Sequence, residues 1–146
     1  MIYNLSSPLE AQSARARLEL LIKRGSICEI TEKKPRRSIS QNAYLHVALG
    51  YFAAQTGNTL DWVKREYYKK HCNPDLFIGE KEDNFVGRVH YLKSSAELTT
   101  EEMSLSIDRF RNWAVLEAGI YIPTPEEEAQ VAAMQIEVER HKEWIY

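Results

Sequence analysis

The residues Lys33-Lys34-Pro35-Arg36-Arg37-Ser38-Ile39-Ser40-Gln41-Asn42 join a cluster of four cations to the start of a helix. Ser38 and Gln41 have the Ser-x-x-Gln spacing of a capping box, in which each side chain satisfies a backbone N–H of the first turn. A helix N-terminus attracts anions because its N–H groups and its dipole carry partial positive charge. The stretch therefore predicts a phosphate-binding surface, to which Gln41 and Asn42 add amide groups. A solvated basic loop before an ordinary amphipathic helix is the simpler alternative.

Apolar residues recur at helical spacing on both sides of this stretch. They predict helices over about residues 9–23, 39–55 and 60–71, a helix that starts at Thr99 and ends at Gly119, and a last helix that opens at Thr124. Thr99 and Glu102 form a second capping box. The positions expected to face inward are Leu9, Ala16, Leu20, Leu21, Leu45, Ala48, Leu49, Phe52, Leu60, Val63 and Tyr67.

Short apolar stretches predict the strands. Residues 2–5 and 26–32 are expected to be strands, and residues 76–78 and 85–92 are expected to form a hairpin across a polar loop. The element order β-α-β-α-α-β-β-α-α predicts a single α+β domain over residues 1–146, with a small mixed sheet packed against about five helices. The sequence contains neither a signal-peptide pattern nor an apolar run of ~18 residues, and its two cysteines favour a reduced, cytoplasmic protein.

Charge is distributed unevenly along the chain. Residues 1–93 carry 15 Lys and Arg against 10 Asp and Glu, whereas residues 94–146 carry 4 against 11. This asymmetry favours one surface for a polyanion and one acidic surface.

Nucleic acid is the polyanion that the basic residues favour most. Phosphate contacts are predicted for Lys33, Lys34, Arg36 and Arg37. His46 shares a helix face with Asn42, one turn earlier. Accessible tyrosines beside the cations, of which Tyr44 and Tyr68 are the strongest candidates, would stack on unpaired bases. A second basic cluster would extend the track along the following helix, and consists of Lys64, Arg65, Lys69 and Lys70.

Two alternatives remain open. A metal-dependent nuclease would use Glu29 or Glu32 with Lys34, but such enzymes also need an upstream acid, and no Asp precedes Asp61. A protein–protein adaptor would use the acidic helices of the last third. No spacing of metal ligands and no glycine-rich phosphate loop is present, so a non-enzymatic protein without a cofactor or a metal is expected.

The motif Arg37-Ser38-Ile39-Ser40-Gln41-Asn42, followed by Leu45, Ala48, Leu49 and Gly50, resembles the Arg-Ser-x-x-Gln-Asn…Leu…Ala-x-Leu-Gly motif of the phage NinB (Orf) recombination proteins. The Ser7-Pro8 turn before the first helix and Trp144 near the end of a helix-rich last third are also similar. The resemblance is sharpest across residues 36–50.

This resemblance implies a bacteriophage recombination mediator in the cytoplasm of the bacterial host. Such proteins form homodimers with a basic cleft and bind single-stranded DNA. They cooperate with the host single-strand-binding protein and assist the loading of a recombinase or annealing protein, without known catalysis. Arg37, Gln41 and Asn42 would lie near that cleft. The family can have Trp at the position of His46, where imidazole would stack more weakly and would make binding sensitive to pH.

Overall fold

The computed structural model describes residues 1–32 and 39–146, and most of these residues are helical. The two strands pair antiparallel, with Ile78 opposite Leu92 and Asp83 opposite Gly87, which gives the predicted α+β class. The elements in chain order are α1 (Pro8–Arg24), α2 (Gln41–Thr56), α3 (Leu60–Trp62), a π-helix (Val63–Cys72), α4 (Pro74–Phe77), β1 (Ile78–Asp83), β2 (Gly87–Leu92), a 3-10 turn (Ser95–Glu97), α5 (Thr100–Ala118), α6 (Glu128–Arg140) and α7 (Lys142–Ile145). None of the described helices is long and apolar enough to cross a membrane.

Helix α2 lies at the centre of the core, where it packs against α5, α6, α7 and the π-helix. Its predicted inward positions are buried, and the Phe52 ring lies edge-on to Phe110 of α5 at 5.3 Å between centroids. The side chain of Ser40 caps the helix by accepting a hydrogen bond from the Ala43 N–H at 3.2 Å. The prediction of Ser38 as the cap is wrong, because the helix starts at Gln41 and the residue directly before it takes that role. Ser38 itself lies outside the described residues.

Gly50 lets α6 approach α2 closely. A Cβ atom added at Gly50 would lie 3.1 Å from Val138 Cγ2, tighter than ordinary van der Waals contact. Val138 is in the last turn of α6, so this close contact lies just before the chain enters α7.

The predicted helix over 60–71 is observed as α3 and the π-helix, and Thr59 caps it as its position indicates. In a π-helix the backbone N–H of residue i+5 donates to the carbonyl of residue i. The buried face is therefore shifted by one position per turn relative to an α-helix. Tyr68 therefore follows Val63 into the core, while Tyr67 is only partly buried. The expectation that Tyr44 and Tyr68 are accessible is wrong: both rings are buried, and the Tyr44 hydroxyl donates to the Pro123 carbonyl at 2.6 Å.

The predicted strands at residues 2–5 and 26–32 are absent, because neither segment finds a partner strand in the described chain. The hairpin is present, but its turn is displaced. Residues 76 and 77 belong to α4, and Asp83 Oδ1 accepts the N–H groups of Phe85 and Val86, which places Phe85 at the tip of the hairpin.

The sequence predicts the boundaries of α5 correctly but not the start of the last helix. The Thr99–Glu102 capping box and the end of α5 at Gly119 are confirmed. The last helix starts at Glu128 rather than at Thr124, because the Glu127 carboxylate accepts from the backbone N–H of Thr124 and from the Tyr121 hydroxyl and so stabilises a turn there.

Asn73 joins the π-helix to α5. Its side-chain amide is fully buried and donates to the carbonyls of Tyr68 at 2.9 Å and Ser106 at 3.1 Å. We expect Asn73→Ala to lower the free energy of unfolding by about 2–3 kcal/mol, because two buried carbonyls lose their donor. Urea denaturation measures this change. Asn84→Ala, at an exposed position of the hairpin loop, is the control and should stay within about 0.5 kcal/mol of the parent; equal effects of both variants would contradict the assignment.

Candidate functional site

A cleft of about 240 Å³ opens between the first turns of α2 and the start of the π-helix. Its floor is apolar, whereas its rim carries an amide, an imidazole, an ammonium and a hydroxyl group. We call it the α2 cleft, and its lining residues are Asn42, Leu45, His46, Leu49, Leu60, Lys64 and Ser95.

The polar side chains of the cleft come from α2, the π-helix and the 3-10 turn. Asn42 and His46 are four residues apart, so they lie on one face of α2, as the sequence predicts. Leu45 and Leu49 are buried beside them and hold this face in place. Lys64 follows the buried Val63 and faces His46 from the opposite wall.

Tyr146 covers one side of His46. The two rings are nearly parallel, with centroids 5.4 Å apart and an interplanar angle of 16°, and Tyr146 Oη lies 3.0 Å from His46 Nε2. Ile145 is fully buried and anchors the segment that carries Tyr146, whose own side chain remains 63% exposed. No sequence pattern indicates this role of Tyr146, since only the path of α6 and α7 brings it to α2.

The cleft favours the neutral form of His46. Partial burial lowers the pKa of its imidazole, and the positive charge of Lys64 lowers this pKa further. Both effects lower the pKa of His46 and so favour its neutral form at pH 7. A bound phosphate between the two side chains would oppose this effect, since an anion favours the protonated imidazole.

The remaining described cations of the predicted track are paired elsewhere. Arg65 bonds Asp61 at 2.8 Å and Lys70 bonds Glu66 at 3.0 Å, both on the exposed side of the helix. Lys69 is 8% exposed and donates to the Lys93 carbonyl at 2.8 Å, so it tethers the hairpin instead of facing the cleft. Gln41 also points away from the cleft, since its amide donates to the Ser104 hydroxyl of α5 at 2.8 Å.

The basic stretch precedes α2 directly in the sequence. The predicted phosphate contacts of Lys33, Lys34, Arg36 and Arg37 lie outside the described residues.

Glu29 and Glu32, the acids of the nuclease alternative, are exposed. Within residues 1–32 and 39–146, no group of three His, Cys, Asp or Glu side chains is arranged to hold a metal ion.

Comparison of this chain with protein-family models, with curated proteins and with solved structures gave no match.

We expect Lys64→Met to raise the pKa of His46 toward its usual value of 6.5, because the variant removes a positive charge that lowers this pKa. Titration of the histidine ring protons by NMR measures this pKa, and the signal that disappears in His46→Gln assigns it. Lys81→Met, on the hairpin, is the control and should leave the His46 titration unchanged. An unchanged pKa in Lys64→Met would show that Lys64 does not face the imidazole.

Proposed function

We propose that this chain is a non-enzymatic DNA-binding protein that prefers single strands and acts in recombination or repair. The observation that carries this proposal is the α2 cleft, where Asn42, His46 and Lys64 converge at the start of the helix that follows four cations in the sequence. Such a combination offers electrostatic attraction, hydrogen bonding and a ring for stacking within one site.

Each group of the cleft has a role that suits a flexible single strand. Lys64 would neutralise a phosphate, and the N–H groups at the start of α2 would add their partial positive charge. The Asn42 amide both donates and accepts, so it suits backbone oxygens and base edges. The His46–Tyr146 pair presents an aromatic surface, and stacking of a base on such a ring contributes ~1–3 kcal/mol.

The proposal extends to the biological role that the motif at residues 36–50 implies. A NinB-like mediator would bind DNA as a homodimer in the bacterial cytoplasm, together with the host single-strand-binding protein, and would help to load a recombinase or annealing protein. Support comes from that motif and from the positions of two of its residues. Asn42 lines the α2 cleft, and Gly50 lies where α6 approaches α2 closely.

The direct test is fluorescence anisotropy of labelled single-stranded and duplex oligonucleotides across a salt series. We expect salt-sensitive binding with a preference for single strands. Arg36→Ala combined with Arg37→Ala, and Lys64→Ala separately, should weaken binding and reduce the salt slope by about 0.7 for each lost phosphate contact. Lys142→Ala is the matched control, because that lysine lies on α7 and pairs with Glu139 at 3.0 Å.

The same experiment separates the alternatives. Gel analysis of the DNA after incubation with Mg²⁺ would reveal cleavage, which would favour the nuclease that uses Glu29 or Glu32 with Lys34. A complete lack of affinity at low salt would favour the adaptor. Binding that is unchanged in all basic variants would contradict the assignment of the α2 cleft.

Tyr146 provides a second test through stacking. We expect Tyr146→Leu to weaken single-strand binding by roughly 5- to 160-fold, which corresponds to the loss of one stacked base, with a smaller effect on duplex binding. Trp144→Leu is the matched control, because this half-exposed ring lies two residues away but contacts His141 instead of His46. Equal losses in both variants, measured by anisotropy, would assign the effect to the whole segment and not to the cleft.

A further inference from the structure

The two faces of the β1–β2 hairpin differ in chemistry. Alternate residues of a strand point to opposite sides of a sheet, and residues directly opposite each other in an antiparallel pair point to the same side. On one side Gly79 lies opposite Tyr91, and Lys81 lies opposite Val89. We call this side the Tyr91 face, and its residues are Gly79, Lys81, Asp83, Gly87, Val89 and Tyr91.

The other side of the hairpin holds two carboxylates beside a guanidinium group. Glu82 lies opposite Arg88 in the sheet, and Glu80 is on the same side of the same strand. Arg88 approaches Glu80 to 3.7 Å and Glu82 to 3.6 Å. The negative charge of these two acids is therefore partly balanced, and it points away from the Tyr91 face.

The Tyr91 ring lies directly over the backbone of Gly79. A Cβ atom added at Gly79 would lie 2.6 Å from Cζ of this ring, so a side chain there would displace the ring. Tyr91 nevertheless remains 42% exposed, and Nζ of the exposed Lys81 lies 5.9 Å from the ring centroid. One side of the ring thus packs on the strand, while its exposed part lies next to a cation.

The Tyr91 face lies close to the α2 cleft. Tyr91 precedes Ser95 of the cleft by four residues, and four residues span at most ~14 Å. The base of the hairpin is tethered to the π-helix, because Lys69 donates to the Lys93 carbonyl at 2.8 Å. A stacked strand advances ~3.4 Å per nucleotide, so about four nucleotides would reach from the cleft to the ring.

We propose that the Tyr91 face is a second contact site for single-stranded DNA, in which one base stacks on Tyr91 and a neighbouring phosphate pairs with Lys81. Since this contact extends a strand that is already held in the α2 cleft, it rests on the proposed function. An exposed ring beside a cation binds unpaired bases with little regard to sequence, because every base has a flat face.

The distribution of charge on the Tyr91 face suits this direction of the strand. Its one carboxylate among the described strand residues is that of Asp83, at the end of β1 that adjoins the turn. Asp83 Oδ1 accepts the N–H groups of Phe85 and Val86 there. The acid therefore lies at the tip of the hairpin, whereas Tyr91 lies at the end nearer the cleft.

Fluorescence anisotropy of labelled oligothymidylates about four to sixteen nucleotides long tests the second site. We expect the affinity of the parent protein to rise roughly fivefold or more once the strand is long enough to reach Tyr91, beyond the gradual increase with the number of binding positions. Tyr91→Leu should abolish this rise because it removes the ring, and Tyr91→Phe should retain it.

Two charge variants form a matched pair that leaves the ring in place. Lys81→Met and Arg88→Met each remove one cation, but from opposite faces of the hairpin. With the longest strand, Lys81→Met should reduce the salt slope by about 0.7, whereas Arg88→Met should leave the slope unchanged. This pair tests the site even where Tyr91→Leu alters the hairpin.

The length series separates this second site from the α2 cleft. Binding without the rise, or an equal affinity of the parent and Tyr91→Leu for the longest strand, would overturn the second site and leave the cleft assignment intact. Equal salt slopes for Lys81→Met and Arg88→Met, or an equal loss of duplex binding in Tyr91→Leu, would overturn it as well. No binding at any length would contradict the proposed function, and the second site with it.

Discussion

The close approach of α6 to α2 at Gly50 is the constraint on which the candidate site depends. A Cβ atom at that position would lie 3.1 Å from a methyl group of Val138, so any larger residue would require Val138 to move. Helix α7 follows α6 directly, and Tyr146 at its end reaches His46, which precedes Gly50 by one turn. The helix that packs on Gly50 therefore leads to the ring that stacks on His46 beside the α2 cleft.

Helix α2 contributes different residues to the core and to the candidate site. Its buried face packs against α5, α6 and the π-helix, whereas Asn42 and His46 in its first two turns line the cleft. A rigid, buried helix holds these side chains in a fixed geometry with little loss of conformational entropy on binding. The π-helix contributes in the same way, since the buried Val63 and Tyr68 hold Lys64 opposite His46.

The sequence predicts the parts of the fold that depend on local chemistry. Apolar spacing and capping residues correctly give α2, the helical run from Leu60 and the start of α5. Residues 2–5 and 26–32 have strand-like composition, but a strand requires a partner that composition does not supply. The sequence does not indicate the π-helix or the stack of Tyr146 on His46, because the first depends on hydrogen-bond register and the second joins residues 100 positions apart.

Mapping of DNA contacts on the isotopically labelled protein by NMR tests the central claim most directly. A short single-stranded oligonucleotide would be titrated into the protein at low and at moderate salt, while the backbone amide signals are followed. The account predicts that the largest changes occur at Asn42, His46, Lys64, Ser95 and Tyr146, and that they diminish as salt increases. Changes confined to α1, α5 or the hairpin, or no changes at low salt, would contradict it.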